Sequence, residues 1–255
     1  MTRVWAIAVN TFREAVRDKV LYALLFFALL MIAGSAVVAE LTVGEYHKII
    51  KDFGLAAINL FGLAIAIFVG IGLVSKEIER KTIYTIASKP VARWQFVLGR
   101  YLGLVLTLLA EIAAMGAGFV LMTLATRTTL GLAFLPALLL TLVELMVVTA
   151  FAVLFSCFSN PLLSAFFTVG FVVIGRLSPE LKQLAESGHS EALLLFARIL
   201  YRATPDLGTF DTRTEAAYGL AIGWEYLGYA TGYDLLWAAA LLVMAVLVFQ
   251  KRDFR

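Results

Sequence analysis

Residues 75–100 read SKEIERKTIYTIASKPVARWQFVLGR, and eight of these 26 residues are charged: Lys76, Glu77, Glu79, Arg80, Lys81, Lys89, Arg93 and Arg100. The flanking runs, Phe53–Val74 and Tyr101–Thr126, carry a single charge between them, Glu111. So abrupt a change of polarity is expected where a chain leaves one solvent for another. A spanning helix needs about 20 apolar residues, because the hydrocarbon layer is about 30 Å thick and a helix rises about 1.5 Å per residue. Val20–Ala39, Phe53–Val74, Tyr101–Thr126 and Leu130–Phe158 all meet that length, the last with Glu144 inside. Tyr226–Gln250 does too, with Asp234 near its beginning, and Pro161–Gly175 is the shortest run. The pattern predicts an all-α polytopic membrane protein with six transmembrane helices, forming one domain over residues 1–255.

Composition agrees. The chain is 62% hydrophobic and 15% charged, whereas soluble domains carry about 25% charged residues. The net charge of +3 gives no reason to expect a nucleic acid partner. Cys157 is the single cysteine, so no internal disulfide forms, and His47 and His189 are too far apart in sequence to suggest a metal cluster. Met115 and Met122 share a helical face and are read as packing rather than as soft-metal ligands. The first apolar run is too long for a typical signal peptide and is read as a retained span.

Six spans place both termini on one side. With that side cytoplasmic, 13 of the 21 Lys and Arg residues lie inside and 8 outside, while acidic residues divide 5 inside, 11 outside, counting Asp234 at the start of its run among these, and 2 deeper within spans. Basic residues concentrate in short cytoplasmic loops, so residues 75–94 are expected in the cytoplasm and 176–228 outside. Residues 2–18 place Trp5, Ala8, Phe12, Ala15 and Val16 on one stripe, which predicts an amphipathic helix lying in the inner interface against membrane lipid. In the outer segment, Ser178 is expected as an N-cap with Pro179 and Glu180 in the first turn. The stretch from Arg202 to Gly219 reads as loop.

The charged insert is longer than a connector requires. Ser75 is a candidate N-cap, Glu77 and Glu79 suit a first helical turn, and Pro90 stops the helix. Trp94 fits the interface, and Gly99 and Gly103 permit close packing where the third span begins. Glu79-Arg80-Lys81-Thr82, Ser88-Lys89-Pro90, Arg93 and Gly99-Arg100, together with the ending VFQKRDFR, resemble type 2 ABC transporter permeases. The likeness is nearest the branch described as multi-copper enzyme maturation permeases. It implies a transmembrane subunit in a prokaryotic inner membrane, paired as a homodimer or pseudo-dimer. It also implies a separate ABC ATPase that binds ATP and Mg and docks on a coupling helix formed from Glu77, Glu79, Arg80, Lys81, Thr82, Ile83 and the chain up to Pro90. Export is the direction it implies. Lys81 stands where glycine is common in such permeases, and Arg100 where lysine is.

No G-x-x-x-x-G-K-[ST] stretch is present, so ATP would be bound by another polypeptide. No Ser–His–Asp, Cys–His or H-E-x-x-H set appears either, and the chain reads as non-catalytic. Glu111 and Glu144 lie inside spans, where a charged residue costs about 2.5–3.5 kcal/mol on insertion scales. They read either as a proton relay or substrate contact, or as hydrogen-bonding partners of Thr107, Thr141 or Asn59. The first reading would suit a proton-coupled secondary transporter or channel. Gly62, Ala66 and Gly70 recur every four residues, a small-residue stripe for close helix contact within the subunit or across a dimer.

Overall fold

The structure is a computed structural model describing residues 2–41, 45–79, 92–187, 194–195, 198–200, 202 and 204–251. The described residues are helical throughout, with no strand. Nine α-helices are defined among the described residues: α1 (Thr2–Ala15), α2 (Lys19–Glu40), α3 (Tyr46–Glu79), α4 (Arg93–Ala125), α5 (Phe134–Ser156), α6 (Pro161–Arg176), α7 (Ser178–Ser187), α8 (Arg213–Tyr218) and α9 (Trp224–Lys251). A short 3-10 helix, Leu207–Phe210, precedes α8.

Five of these helices are long and apolar enough to cross a membrane: α2, α3 over Tyr46–Gly72, α4, α5 and α9 over Trp224–Gln250. The sixth apolar helix, α6, has 16 residues, which is roughly 24 Å against a hydrocarbon layer of about 30 Å. Its start is well specified. Asn160 caps it by accepting the Leu163 N–H at 2.9 Å, and Pro161 occupies the first turn, where a missing N–H costs nothing. Its end is set by Arg176, discussed below.

α5 is the axis of the bundle. It packs against α3, α4, α6 and α9, and is buried around most of its circumference. Such a helix needs no amphipathic pattern, because protein rather than lipid surrounds it. α2 lies outermost, exposing Tyr22, Phe26, Phe27, Leu30 and Val37.

Several boundaries differ from the sequence expectation. Ser75 does not begin a new helix; α3 runs unbroken for 34 residues to Glu79. Nothing between Val74 and Glu79 breaks a helix, so the span simply continues beyond the membrane. α4 likewise begins at Arg93, before the apolar run, with Gln95 Oε1 accepting the Ala92 N–H at 3.2 Å. Ser178 lies inside α7 rather than capping it, and its buried hydroxyl makes no hydrogen bond; a single residue, Leu177, separates α7 from α6. The stretch expected as loop is ordered around the buried Leu207 and Phe210. There Asp206 accepts the Gly208 N–H at 3.0 Å, and Gly219 ends α8 at φ 73°.

α1 forms as expected but meets protein on one side. Ala8, Thr11 and Ala15 are buried along α4, while Trp5 is 59% exposed. The apolar stripe is therefore divided, its small residues facing α4 and its tryptophan facing outward.

Candidate functional site

The most polar point in the bundle joins three helices. Glu144 on α5 is 1% exposed at its side chain, and Arg176, the last residue of α6, reaches it. Arg176 Nη2 donates to Glu144 Oε1 at 2.8 Å, and Nε donates to the same oxygen at 3.3 Å. Asn59 on α3 donates to Glu144 Oε2 at 2.7 Å and accepts from Arg176 Nη2. Both carboxylate oxygens are thus occupied, and the guanidinium is shared between two partners. The short α6 explains the geometry. It ends with Arg176 still beside α5, so the cation, partly exposed on its far side, neutralises Glu144, which would otherwise have only Asn59 as partner. Burying an ion pair costs desolvation that only such complete hydrogen bonding offsets.

Glu111 on α4 and Asp234 on α9 have no comparable arrangement. Both are buried, at 4% and 0% exposure, and all four of their carboxyl oxygens lack a hydrogen-bond partner among the described residues. Thr107 and Thr141, expected as partners for the buried glutamates, donate instead to their own helices, at the Gly103 and Ala137 carbonyls. Asp234, expected among the outer acidic residues, is wholly buried on the inward face of α9 with Ala230, Ala238 and Leu241.

At the end of the bundle where α4 begins, three elements meet. Arg93 Nη1 donates to the carbonyls of Phe249 and Gln250 at 3.2 and 2.7 Å, satisfying the end of α9, and Phe96 stacks on Phe249 at 5.8 Å. Arg100, buried in α4, pairs with Glu14 of α1 at 3.3 Å. Gly99 and Gly103 let α1 approach closely. A Cβ on Gly103 would stand 2.6 Å from the Ala8 carbonyl oxygen, and one on Gly99 would stand 2.7 Å from Ile7 Cβ.

A family model described as ABC-2 family transporter protein matches residues 5–254, nearly the whole chain. The chain belongs to the ABC-2 transporter family. It is therefore the membrane permease component of an ABC transporter, and the family implies a partner ABC ATPase. No curated protein matches it.

Within this ABC-2 permease, Glu77 and Glu79 fall on the last turns of α3. Arg80, Lys81, Thr82, Ile83 and Pro90 lie outside the described residues. The small-residue stripe of Gly62, Ala66 and Gly70 packs inside the subunit. Gly62 lies under Leu145, Gly70 faces Ala152, and Ala66 is buried. Met115 is core and Met122 packs against it, as expected for filler residues.

The opposite end carries a cleft of about 500 Å³ between α3 and α8, lined by Glu45, Lys48, Asp52, Phe53, Thr214 and Tyr218 among others. Lys48 pairs with Glu45 at 2.7 Å and lies over the Tyr218 ring. Beside it, Asp211 and Arg213 form a two-point pair at 2.7 and 2.5 Å. Hydrogen bonding from Arg213 holds the Asp211 carboxyl below its ordinary range, and the same bond holds Arg213 above its own.

Sequence reading found Glu144 but missed its cation. The available signal was an arginine closing a short apolar helix that follows the glutamate-bearing span.

Proposed function

We propose that this permease is half of an ATP-driven exporter in a prokaryotic inner membrane. In this reading its termini and residues 75–94 face the cytoplasm, α6 serves as a short sixth crossing, and a second permease chain completes the pathway. The ATPase, with its ATP and Mg, docks on the segment containing Glu77, Glu79, Arg80, Lys81, Thr82, Ile83 and Pro90. α1 rests at the inner lipid interface through its Trp5 face. The charged-insert pattern favours the branch described as multi-copper enzyme maturation permeases, and the export direction follows from the same resemblance.

One observation carries the docking assignment. α3 is 34 residues long, roughly 51 Å, well beyond the hydrocarbon layer of about 30 Å. Its surplus turns carry Glu77 and Glu79 away from the apolar region, and the chain re-enters at Arg93 beside α1 and the end of α9. A force applied between residues 79 and 93 would act on α3 and α4 directly, and on α1 and α9 through the Arg100–Glu14 pair and the Arg93 contacts.

The test is co-purification of the permease with its partner ABC ATPase, before and after the double charge reversal E79K/R80E. Loss of the complex is expected, and an undiminished complex would refute docking at these residues. Transport by the isolated chain under a pH gradient would instead favour the secondary-transporter reading. The engagement of Glu144 by Arg176 and Asn59 speaks against its acting as a free proton carrier.

A further inference from the structure

The cleft between α3 and α8 has a volume of about 500 Å³, within the roughly 300–1,000 Å³ typical of small-molecule sites. None of its lining residues belongs to the Glu144 cluster or to the charged insert. Ile49, Phe53 and Tyr218 give it apolar and aromatic surface, and Glu45, Lys48 and Asp52 give it charge. The three charged residues stand three and four positions apart, so they adjoin along α3 with Lys48 between two acids. One ammonium serves one of them. Lys48 pairs with Glu45 at 2.7 Å, and its Nζ lies 4.6 Å from the centre of the Tyr218 ring.

Asp52 is the acid left over. It is exposed, and among the described residues it makes no hydrogen bond or ion pair. Arg213 is near enough for the two charges to act on each other, but it gives two N–H groups to Asp211. Lys48 is the one cation among the described lining residues, so Glu45, Lys48 and Asp52 sum to a charge of −1. The lining also indicates which cation fits. Lys48 already holds an alkylammonium between a carboxylate and a ring face, the arrangement that cation–π attraction favours. A divalent metal ion instead takes roughly six oxygen ligands, which the apolar surface of Ile49 and Phe53 does not supply.

We propose that the α3–α8 cleft is a binding site for an organic ammonium ion that carries an apolar group. Its charge sits on Asp52, its apolar part lies against Ile49 and Phe53, and Lys48 is a tethered competitor held off by Glu45 and Tyr218. The signs of three substitutions follow. D52N removes the carboxylate that meets the ligand. E45Q frees Lys48 to turn to Asp52, four residues on, so it weakens binding without touching the ligand's own contact. K48M removes the competitor and leaves two uncompensated carboxylates, so it tightens binding. None of this depends on whether the ATPase docks as described above.

The test uses the full-length chain in nanodiscs of zwitterionic lipid. Radiolabelled phenethylamine, a primary ammonium ion at neutral pH, is equilibrated against it by dialysis, with empty nanodiscs to subtract partitioning into lipid. Saturable binding is expected, displaced by unlabelled phenethylamine and not by the uncharged 2-phenylethanol or the anion phenylacetate. D52N is expected to weaken it by about tenfold or more, the loss of one charged hydrogen-bonding partner. E45Q should weaken it less, and K48M should tighten it. The opposite shifts of E45Q and K48M separate a binding role from a general loss of fold, which would lower binding in both. No saturable binding up to millimolar concentration, equal affinity in D52N, equal displacement by 2-phenylethanol, or shifts of the same sign in E45Q and K48M would each overturn the proposal.

Discussion

Arg176 places two of its N–H groups on a single oxygen of Glu144, at 2.8 and 3.3 Å, across 32 residues of sequence. The two ends of this contact are not equivalent. Glu144 is 1% exposed, whereas the Arg176 side chain is 37% exposed. The arginine has an exposed side and the glutamate has none.

That asymmetry predicts the order of the single variants. R176L strands a buried carboxylate with only Asn59 for company. It is expected to destabilise the chain by roughly 3 kcal/mol, the low end for a broken buried pair. E144Q keeps a hydrogen-bonding oxygen and releases an arginine that turns toward water, so it should cost less. The double variant E144L/R176L should recover most of the loss, since apolar replacement of a buried pair is often neutral. Thermal unfolding in detergent measures all three, and an E144Q cost above that of R176L would contradict the asymmetry.

The spans were legible because a hydrocarbon layer imposes one length on any helix that crosses it. Val20–Ala39 and the run before Gln250 became α2 and α9 within a few residues of the expected bounds. Helix ends beyond the apolar region were less legible, because the lipid no longer marks them. Ser75 looked like a start, yet helix-compatible residues on both sides carried α3 through it. The polar cluster was half visible. Glu144 stands out in its apolar run, but its pairing depends on how far α6 climbs along α5, a packing fact and not a local one. Asp234 was set aside because it sits near the beginning of its apolar run, although α9 turns it inward.

Gly62 and Gly70 occupy the same stripe but meet different neighbours, which separates them experimentally. A Cβ on Gly62 would fall 2.6 Å from Leu145 Cδ1, and Leu145 is fully buried. Gly70 has ordinary room, 3.4 Å from Ala152 Cβ. G62A is expected to destabilise by about 1–2 kcal/mol through overpacking, while G70A stays near neutral. Equal melting temperatures for the two variants would show that α3 and α5 are not held this closely.

The contact between α1 and α4 rests on backbone proximity, which a flexible side chain cannot relieve. G103A would press its Cβ against the Ala8 carbonyl oxygen and Thr11 Cβ, at 2.6 and 2.5 Å. The strain, about 1–3 kcal/mol, should be relieved by detaching α1. Limited trypsin digestion reads this as faster cleavage at Arg13 and Arg17. G170A, with no neighbour within 4 Å of its added Cβ, serves as control and should digest at the wild-type rate.

The Asp211–Arg213 pair gives a pH dependence whose sign is fixed by its hydrogen bond. Arg213 holds the Asp211 carboxyl below its ordinary value. The pair's contribution is therefore complete above the unfolded aspartate pKa, about 3.9, and is lost only as pH falls through the depressed folded value. Both side chains are partly exposed, so the contribution is small, about 0.2–1 kcal/mol. Hydrogen exchange of the α8 amides should accordingly show no loss of pair-dependent protection between pH 7 and pH 5. D211N should exchange faster than wild type across that whole range, and R213Q should match it. If wild-type protection already decays toward the D211N level above pH 5, the carboxyl is not held down by Arg213 and the pair does not anchor α8.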